Sequence, residues 1–565
     1  MKICFLWVRR FRNFENFGLN LSSTEKFRYE HGQLTVAKLS PLPDGFFGHE
    51  ISEVTGIVGK NGAGKSNALE LICHATKGGK TSISDDFLIL TLEDGKYVCH
   101  YSFASDLPPE IPSDIELRVY DPKFCSSKVI YFSNVYDERR TTFHNDIADI
   151  SLNASVKRSF SSRAQITSFE KQIRLVNSRV FKNLEIDLPK KVQLLSKLWS
   201  PRTIFRVENS YTDMSREIKL FRSSFRERVR DITVGNKFVA MFKFGYFFEM
   251  YIYYERISRS KGQKASKFLK GLQNLFLELE KIRSTEEISE RLIDYLIQTF
   301  QPAEFQVSDK TAAMRYREGQ IGLVAFEEQI KFIRRLKESI SELQLEYYSE
   351  GLRAKNIEYF TFDYRSKGAR RFISEYTELF GKAELFDVDW VGISSGHKAY
   401  LNIFASLYQE LKATRQDTLV LCIDEGDLYL HPKWQVEFFD KLISTIPNLF
   451  AGKAHLVLTS HSPFLLSDLP RQNITILDPE LSGGTMNGVD LLSNTFGGNL
   501  YDLYAEPFFL GDKKTSDFAY RKIKEVVEKV ESGNLSKAER DNVKKNISIF
   551  GDDIIQFRLR EMLGK

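Results

Sequence analysis

The residues with the most specific chemistry stand in the run Gly59-Lys60-Asn61-Gly62-Ala63-Gly64-Lys65-Ser66, which has the spacing GxxxxGK[ST] of a phosphate-binding loop. Glycines at three of these positions let backbone amides turn inward around phosphate oxygens, and a helix opening at the end of the run adds its positive dipole end. In that arrangement Asn61, Gly62, Ala63 and Gly64 line the phosphates. Lys65 reaches the β- and γ-phosphates of ATP, and the Ser66 hydroxyl holds Mg2+. Far along the chain, TLVLCIDEGD is an apolar run ending in Asp424 and Glu425. Asp424 suits the Mg2+ shell, and Glu425 suits orienting or deprotonating an attacking water. The next apolar run, AHLVLTSHSP, ends in His461, in position to donate to the γ-phosphate or to that water. A fourth group, Ile393-Ser394-Ser395-Gly396-His397, stands just before a helical pattern, and small residues at a helix start form an anion site.

These groups require mounts of particular kinds. Strands are expected over 3–8, 33–39 and 54–58, the last leading into the glycine loop, with a helix over 66–76 behind it. FLILTLEDGKYVCHYSF reads as a hairpin turning at Asp94-Gly95, and IELRVYD and KVIYFS as two further strands. From about 150 to 380 the pattern changes to long helical stretches, such as SKFLKGLQNLFLELEKI and EEQIKFIRRLKESISELQLEYY. Alternation then resumes, with a helix over 398–411, a strand over 418–423, a helix from about 433 and a strand over 454–459. Because a parallel strand's carboxyl end is where ligands gather in open α/β sheets, Asp424, Glu425 and His461 belong beside the phosphate loop. The chain closes with two expected helices, one after Ser516 and one opened by a capping box from Ser536 to Glu539.

The expected fold is therefore α/β, a mixed sheet with flanking helices interrupted by a large helical insertion. Residues 1–149 form the first half of an ATPase head, 150–384 the insertion, 385–510 the second half, and 511–565 C-terminal helices offering an assembly or partner surface. Of the 565 residues 42% are apolar, enough to fill real cores. The five cysteines are widely spaced and offer neither a zinc pair nor a disulfide framework, which fits a reducing cytoplasm. The most membrane-like stretch, 238–254, is interrupted by Lys243 and Glu249, so no bilayer span is expected. The net charge of +5 conceals a basic middle: residues 151–380 hold 42 Lys and Arg against 29 Asp and Glu. Arg222, Arg226, Arg228, Arg230, Lys261, Lys264, Lys267 and Lys270 read either as a DNA- or RNA-facing surface or as solvated helix faces.

Taken together, these motifs resemble ABC-type ATPases of the SMC/Rad50/RecF/OLD group, over roughly 1–135 and 385–510. The resemblance rests on the entry strand ending Phe11-Arg12-Asn13-Phe14, the phosphate loop, the signature-like ISSGH, the DE strand followed by Leu430-His431-Pro432, and the switch-like His461. It implies that Ser394, Ser395 and Gly396 close on the ATP of a second copy of the chain. ISSGH departs from LSGGQ at Ser395 and His397, and VIYFSN offers only Ser133 or Asn134 at the Q-loop. The tail, with SNTFGGNLYDLYAEPFFLGD and IIQFRLREML, resembles the PtuA ATPases of Septu anti-phage defence. That resemblance implies work with an HNH nuclease, PtuB, and an occurrence with retrons, whose reverse transcriptase and nucleic acid become partner candidates.

No catalytic set for phosphodiester cleavage is legible. His144 in FHNDI has no second histidine at metal spacing, and no Toprim-like acid cluster follows His461. The first functional reading is thus an ATP-driven switch and scaffold for a separate nuclease. The second is a RecF-like repair ATPase that binds DNA itself, and a third, a soluble importer subunit, fits poorly with so large an insertion.

Overall fold

A computed structural model describes residues 1–564 apart from 79–81, 105–107, 136–141, 155–167, 197, 199–214, 262–266, 301–322, 353–354, 381–384, 413, 479–483, 492–493, 506–514 and 534. The chain opens with an antiparallel pair, β1 (Lys2–Phe11) and β2 (Phe14–Asn20), joined by a tight turn at Arg12 and Asn13. A hairpin of β3 (Glu25–Glu30) and β4 (Gln33–Lys38) turns on His31 and Gly32, both at positive φ as a two-residue turn demands. Next come β5 (Ile51–Gly59), α1 (Lys65–Lys77), β6 (Phe87–Glu93) and β7 (Lys96–Ser102), the last two turning at Asp94-Gly95. They are followed by β8 (Ile115–Val119), β9 (Lys128–Ser133) and β10 (Ile147–Asp149). One sheet has the order β2-β1-β6-β7-β8.

The middle of the chain comprises α2 (Ser168–Val176), β11 (Lys191–Ser196), α3 (Ser215–Arg228), α4 (Val234–Lys261), α5 (Lys267–Glu280), α6 (Thr285–Thr299) and α7 (Leu323–Ser341). It continues through β12 (Glu346–Leu352), β13 (Lys355–Asp363), α8 (Lys367–Phe380) and β14 (Phe386–Val391). This region is not purely helical, because β12-β13-β11-β14 form a four-stranded antiparallel sheet within it. Helical spacing in EEQIKFIRRLKESISELQLEYY ends at Ser341, and Glu346, Tyr347 and Tyr348 pair as strand with Thr361, Phe360 and Tyr359. The membrane-like stretch is the central helix α4. Over 238–252 it is covered on all sides, with Phe238, Phe242, Phe247 and Tyr251 buried in one large aromatic-rich core. Its Lys243 is buried and pairs with Glu290. No helix among the described residues is long and apolar enough to cross a membrane.

The last part contains α9 (Ser395–Leu411), β15 (Thr418–Asp424), α10 (Pro432–Leu449), β16 (Lys453–Thr459), α11 (Pro463–Ser467), β17 (Ile474–Leu477), β18 (Thr485–Asn487) and α12 (Leu500–Ala505). A seven-stranded sheet, β10-β9-β15-β16-β5-β17-β18, joins early and late strands; all its pairs are parallel except β17 with β18. Both of its faces are covered, which explains the unbroken apolar runs. Val420 and Cys422 face the core shared with α1, while Leu419, Leu421 and Ile423 face the core shared with α9 and α10.

Among the described residues the C-terminus holds three helices rather than two: α13 (Asp517–Glu531), α14 (Lys537–Ser548) and α15 (Asp553–Gly564). The third forms because Leu559 and Leu563 lie four residues apart and close a small core with Val526, Val530, Val543 and Ile547. The capping box at Ser536 and Glu539 is made in both directions.

Candidate nucleotide site

The glycine loop leaves β5 at Gly59 and enters α1 at Lys65. Gly59, Gly62 and Gly64 have φ of 153°, 80° and 102°, values that side-chain-bearing residues rarely adopt. At Gly64 a Cβ would also come within 2.7 Å of the Phe14 ring. The turn between β1 and β2 braces the loop from outside: Asn13 Nδ2 donates to the Ala63 carbonyl at 3.3 Å, and Asn13 Oδ1 accepts from Asn67 on α1. Arg12, itself at φ 53°, pairs with the buried Glu70 of the same helix. The Phe11-Arg12-Asn13-Phe14 motif is thus a strut for the loop.

Lys65 is buried, and its Nζ donates to the carbonyls of Gly59 at 3.1 Å and Lys60 at 3.4 Å. Burial pushes its ammonium below the usual lysine range, against the pull of Glu425 and Asp424. Ser66, next along α1, lies near enough to the Asp424 carboxylate to pull its pKa down. Asp424 ends β15 and is buried, which raises its carboxyl above the ordinary aspartate range despite the opposing pull of Thr459, Ser66 and Ser133. Thr459 donates at 2.7 Å, Ser133 at 3.2 Å and Tyr131 at 3.4 Å.

Glu425 sits just beyond β15 at φ 48°, and its amide is held by the Thr459 carbonyl at 3.2 Å and hydroxyl at 3.0 Å. Its Oε1 is 3.3 Å from His461 Nε2. That hydrogen bond, more than any other influence, holds the glutamate below its usual range. Gly426 follows because nothing larger fits, a Cβ there falling 2.5 Å from Ile423 and 2.8 Å from Phe438. Lys65, Ser66, Asp424, Glu425 and His461 therefore form one interacting group at the carboxyl ends of β5, β15 and β16.

Ser394, Ser395 and Gly396 are placed differently. Ser394 caps α9, its hydroxyl accepting from the His397 amide at 3.1 Å, and Ser394 and Ser395 are exposed. Gly396 abuts the loop after β15, where a Cβ would lie 2.9 Å from the Tyr429 carbonyl. Among the described residues no hydrogen bond or ion pair joins these three to the loop or the acids. His397 is buried against Trp434, and burial lowers its pKa.

Of the two Q-loop candidates, Ser133 donates to Asp424 while Asn134 Nδ2 donates to the Leu428 carbonyl at 3.0 Å. Sequence reading did not single out Tyr131, Asp427, Thr459 or Ser460. The one signal for Thr459 and Ser460 is polarity at the end of an apolar strand; Tyr131 lies within β9 and Asp427 in the loop beyond β15. The arginine run is largely used inside the domain: Arg222 is buried, Arg226 lies 3.7 Å from Glu358, and Arg228 donates to the Ile282 carbonyl. Lys267 and Lys270 are exposed, and Lys264 lies outside the described residues. His144 is exposed beside Asp146.

The donors suit a magnesium nucleotide. A loop without side chains at three positions accepts phosphate, and Ser66 with Asp424 offers two oxygens, the small protein complement typical for Mg2+. Among the described residues no group of three or more His, Cys, Asp or Glu side chains could hold a metal by itself.

Comparison with known proteins adds a family and two partial relatives. A family model described as an AAA ATPase domain matches residues 1–466. The chain is 37% identical over 86 residues to the Retron Vc95 probable ATPase of Vibrio cholerae serotype O1 biovar El Tor, a match covering 15% of each chain. It is 29% identical over 92 residues to the Retron Ec83 probable ATPase of Escherichia coli, covering 15% of this chain and 16% of that one. The aligned part is thus a small fraction of either relative's length.

Proposed function

Because this chain belongs to the AAA ATPase domain family, we propose that it binds ATP at residues 59–66 and hydrolyses it to ADP and phosphate. The carrying observation is the single interacting group formed by Lys65, Ser66, Asp424, Glu425 and His461. Lys65 stabilises negative charge on the β- and γ-phosphates, and the amides of Asn61 to Gly64 surround them. Ser66 and Asp424 hold Mg2+, which supplies charge neutralisation on the phosphates when bound. Glu425 takes a proton from the attacking water. His461, within hydrogen-bond reach of Glu425, orients that water and donates toward the γ-phosphate.

The finer reading is an ABC-type head of the SMC/Rad50/RecF/OLD group. Two copies close so that Ser394, Ser395 and Gly396 of one meet the ATP of the other, consistent with the exposed serines and with the lack, among the described residues, of any hydrogen bond from them to their own loop. The names of the partial relatives, together with the PtuA-like tail, support a role in anti-phage defence, with a retron reverse transcriptase and its nucleic acid as further partners. In that role the chain is a cytoplasmic switch and scaffold for a PtuB-like HNH nuclease. Its middle and its C-terminal helices supply the docking surfaces. ATP shifts the assembly only by its differential affinity for the open and closed arrangements.

The test is expression of the gene alone and with its genomic neighbours, followed by phage plating and nuclease assays on each purified sample. Protection and cleavage are expected only with the neighbour present. Metal-dependent cleavage by this chain alone, lost on His144→Ala, would overturn the scaffold reading.

A further inference from the structure

The loop following β15 carries two acids with opposite surroundings. Glu425 is partly exposed and faces His461, whereas Asp427 is only 7% exposed and faces Ser460. Asp427 Oδ2 accepts from Ser460 Oγ at 2.6 Å, a short bond of the kind an ionised acceptor makes. The same Ser460 oxygen accepts from the Ser462 amide at 2.8 Å. A hydroxyl has one proton to give, so the bond to Asp427 directs it, and its lone pair then ties down the residue beyond His461. His461 is therefore flanked by two residues joined through one hydroxyl, and that hydroxyl is anchored on the loop bearing Glu425.

We propose that Asp427 is a positioning residue for hydrolysis: it holds the Ser460 hydroxyl, and thereby the 460–462 turn that presents His461 to Glu425. The inference rests on the reading of Glu425 and His461 given above. A buried carboxylate is a costly way to fix a loop, and burial does raise the Asp427 carboxyl above the usual range. What the carboxylate adds over an apolar side chain is a directed acceptor. The loop gives it a firm base, since Gln435 Nε2 donates to the carbonyls of Asp427 at 3.4 Å and Leu430 at 3.3 Å, and Leu428 N donates to the Glu425 carbonyl at 3.0 Å. Two acids just beyond one strand, Glu425 and Asp427, thus act on two adjacent residues just beyond the next: one holds the turn and the other works with its histidine.

The experiment is steady-state ATP hydrolysis by the full chain. Asp427→Ala is expected to lower kcat by ~10-fold or more, the scale on which small misplacements act, with KM for ATP unchanged because the glycine loop is untouched. Ser460→Ala should do the same. The double variant should be no slower than the slower single, since both remove one linkage. Asp427→Asn keeps an acceptor oxygen for Ser460 and should restore most of the rate. Wild-type kcat in Asp427→Ala, additive losses, or an Asn variant as slow as the Ala variant would overturn the proposal. If Asp427→Ala does not fold, Ser460→Ala, which deletes one oxygen, carries the same expectation alone. Wild-type protein that releases phosphate and is slowed by Glu425→Gln, beside an unaffected Asp427→Ala, sinks only this inference; wild-type protein that releases none sinks the underlying reading too.

Discussion

Thr459, last residue of β16, donates its hydroxyl to Asp424 Oδ1 at 2.7 Å across the parallel strand pair. Thr459 Oγ1 in turn accepts from the Glu425 amide at 3.0 Å. One side chain thus orients the acid assigned to Mg2+ and the backbone of the acid assigned to water.

Replacing it tests that arrangement with little change of shape. Thr459→Val keeps the branched volume and removes the hydroxyl, which strips a donor from a buried carboxylate. A hydrogen bond to a charged group is worth about 1.5–3 kcal/mol. The Mg2+ concentration needed for half-maximal ATP hydrolysis should therefore rise by ~10-fold or more. A magnesium titration identical to wild type would mean that Asp424 does not depend on Thr459.

Lys65→Ala should abolish nucleotide binding. Its ammonium is already desolvated and held against the Gly59 and Lys60 carbonyls, so a phosphate replaces weak partners with an opposite charge. Equilibrium binding of a fluorescent ATP analogue measures the loss. Unchanged affinity would show that the loop is not the nucleotide site.

The α/β class was legible because β15 and most of β16 are buried on both faces and read as apolar runs that stop at polar residues, while β5 leads straight into the glycine loop. The motif-bearing ends Gly59, Asp424 and His461 stand out for that reason. What escaped depends on register between distant segments. Phe386–Val391 reads as part of the second head half, yet it pairs with Lys191–Ser196, nearly two hundred residues earlier. Thr459 becomes informative only once it lies opposite Asp424. Asp427 looks like a loop acid until the fold buries it against Ser460.

His455 makes acid stability a further check. It lies mid-strand in β16, 1% exposed, with no hydrogen-bond partner among the described residues on either ring nitrogen, and burial drives its pKa down to about 3. The native state keeps the ring neutral while the unfolded chain protonates it below its ordinary value of 6.5. The unfolded state therefore binds more protons between those values, and stability falls as pH drops through that window, by up to about 1.4 kcal/mol per pH unit. His455→Leu should lose less stability than wild type between pH 7 and pH 5, by up to ~2 kcal/mol. Urea midpoints at the two values measure the difference. Equal acid losses in both proteins would exclude His455 as a contributor.

Glu425→Gln separates binding from chemistry. Glutamine matches glutamate in size, and the backbone at φ 48° is held by Thr459 whatever the side chain carries. The glycine loop, Lys65 and Ser66 are untouched, so ATP affinity should remain. What disappears is a carboxylate that the His461 hydrogen bond keeps below its usual range and hence ionised at neutral pH. The amide cannot accept a proton from water, and turnover should fall by ~10² or more, the typical contribution of a general base. With hydrolysis slowed and binding intact, ATP persists in the site. Two chains whose Ser394–Gly396 segments close on each other's nucleotide should then accumulate as a dimer. Phosphate release and size-exclusion chromatography with and without ATP report the two outcomes separately. Phosphate release near the wild-type rate would remove Glu425 from the role of base. Slow release from a chain that stays monomeric with ATP would keep the base and exclude closure across two copies.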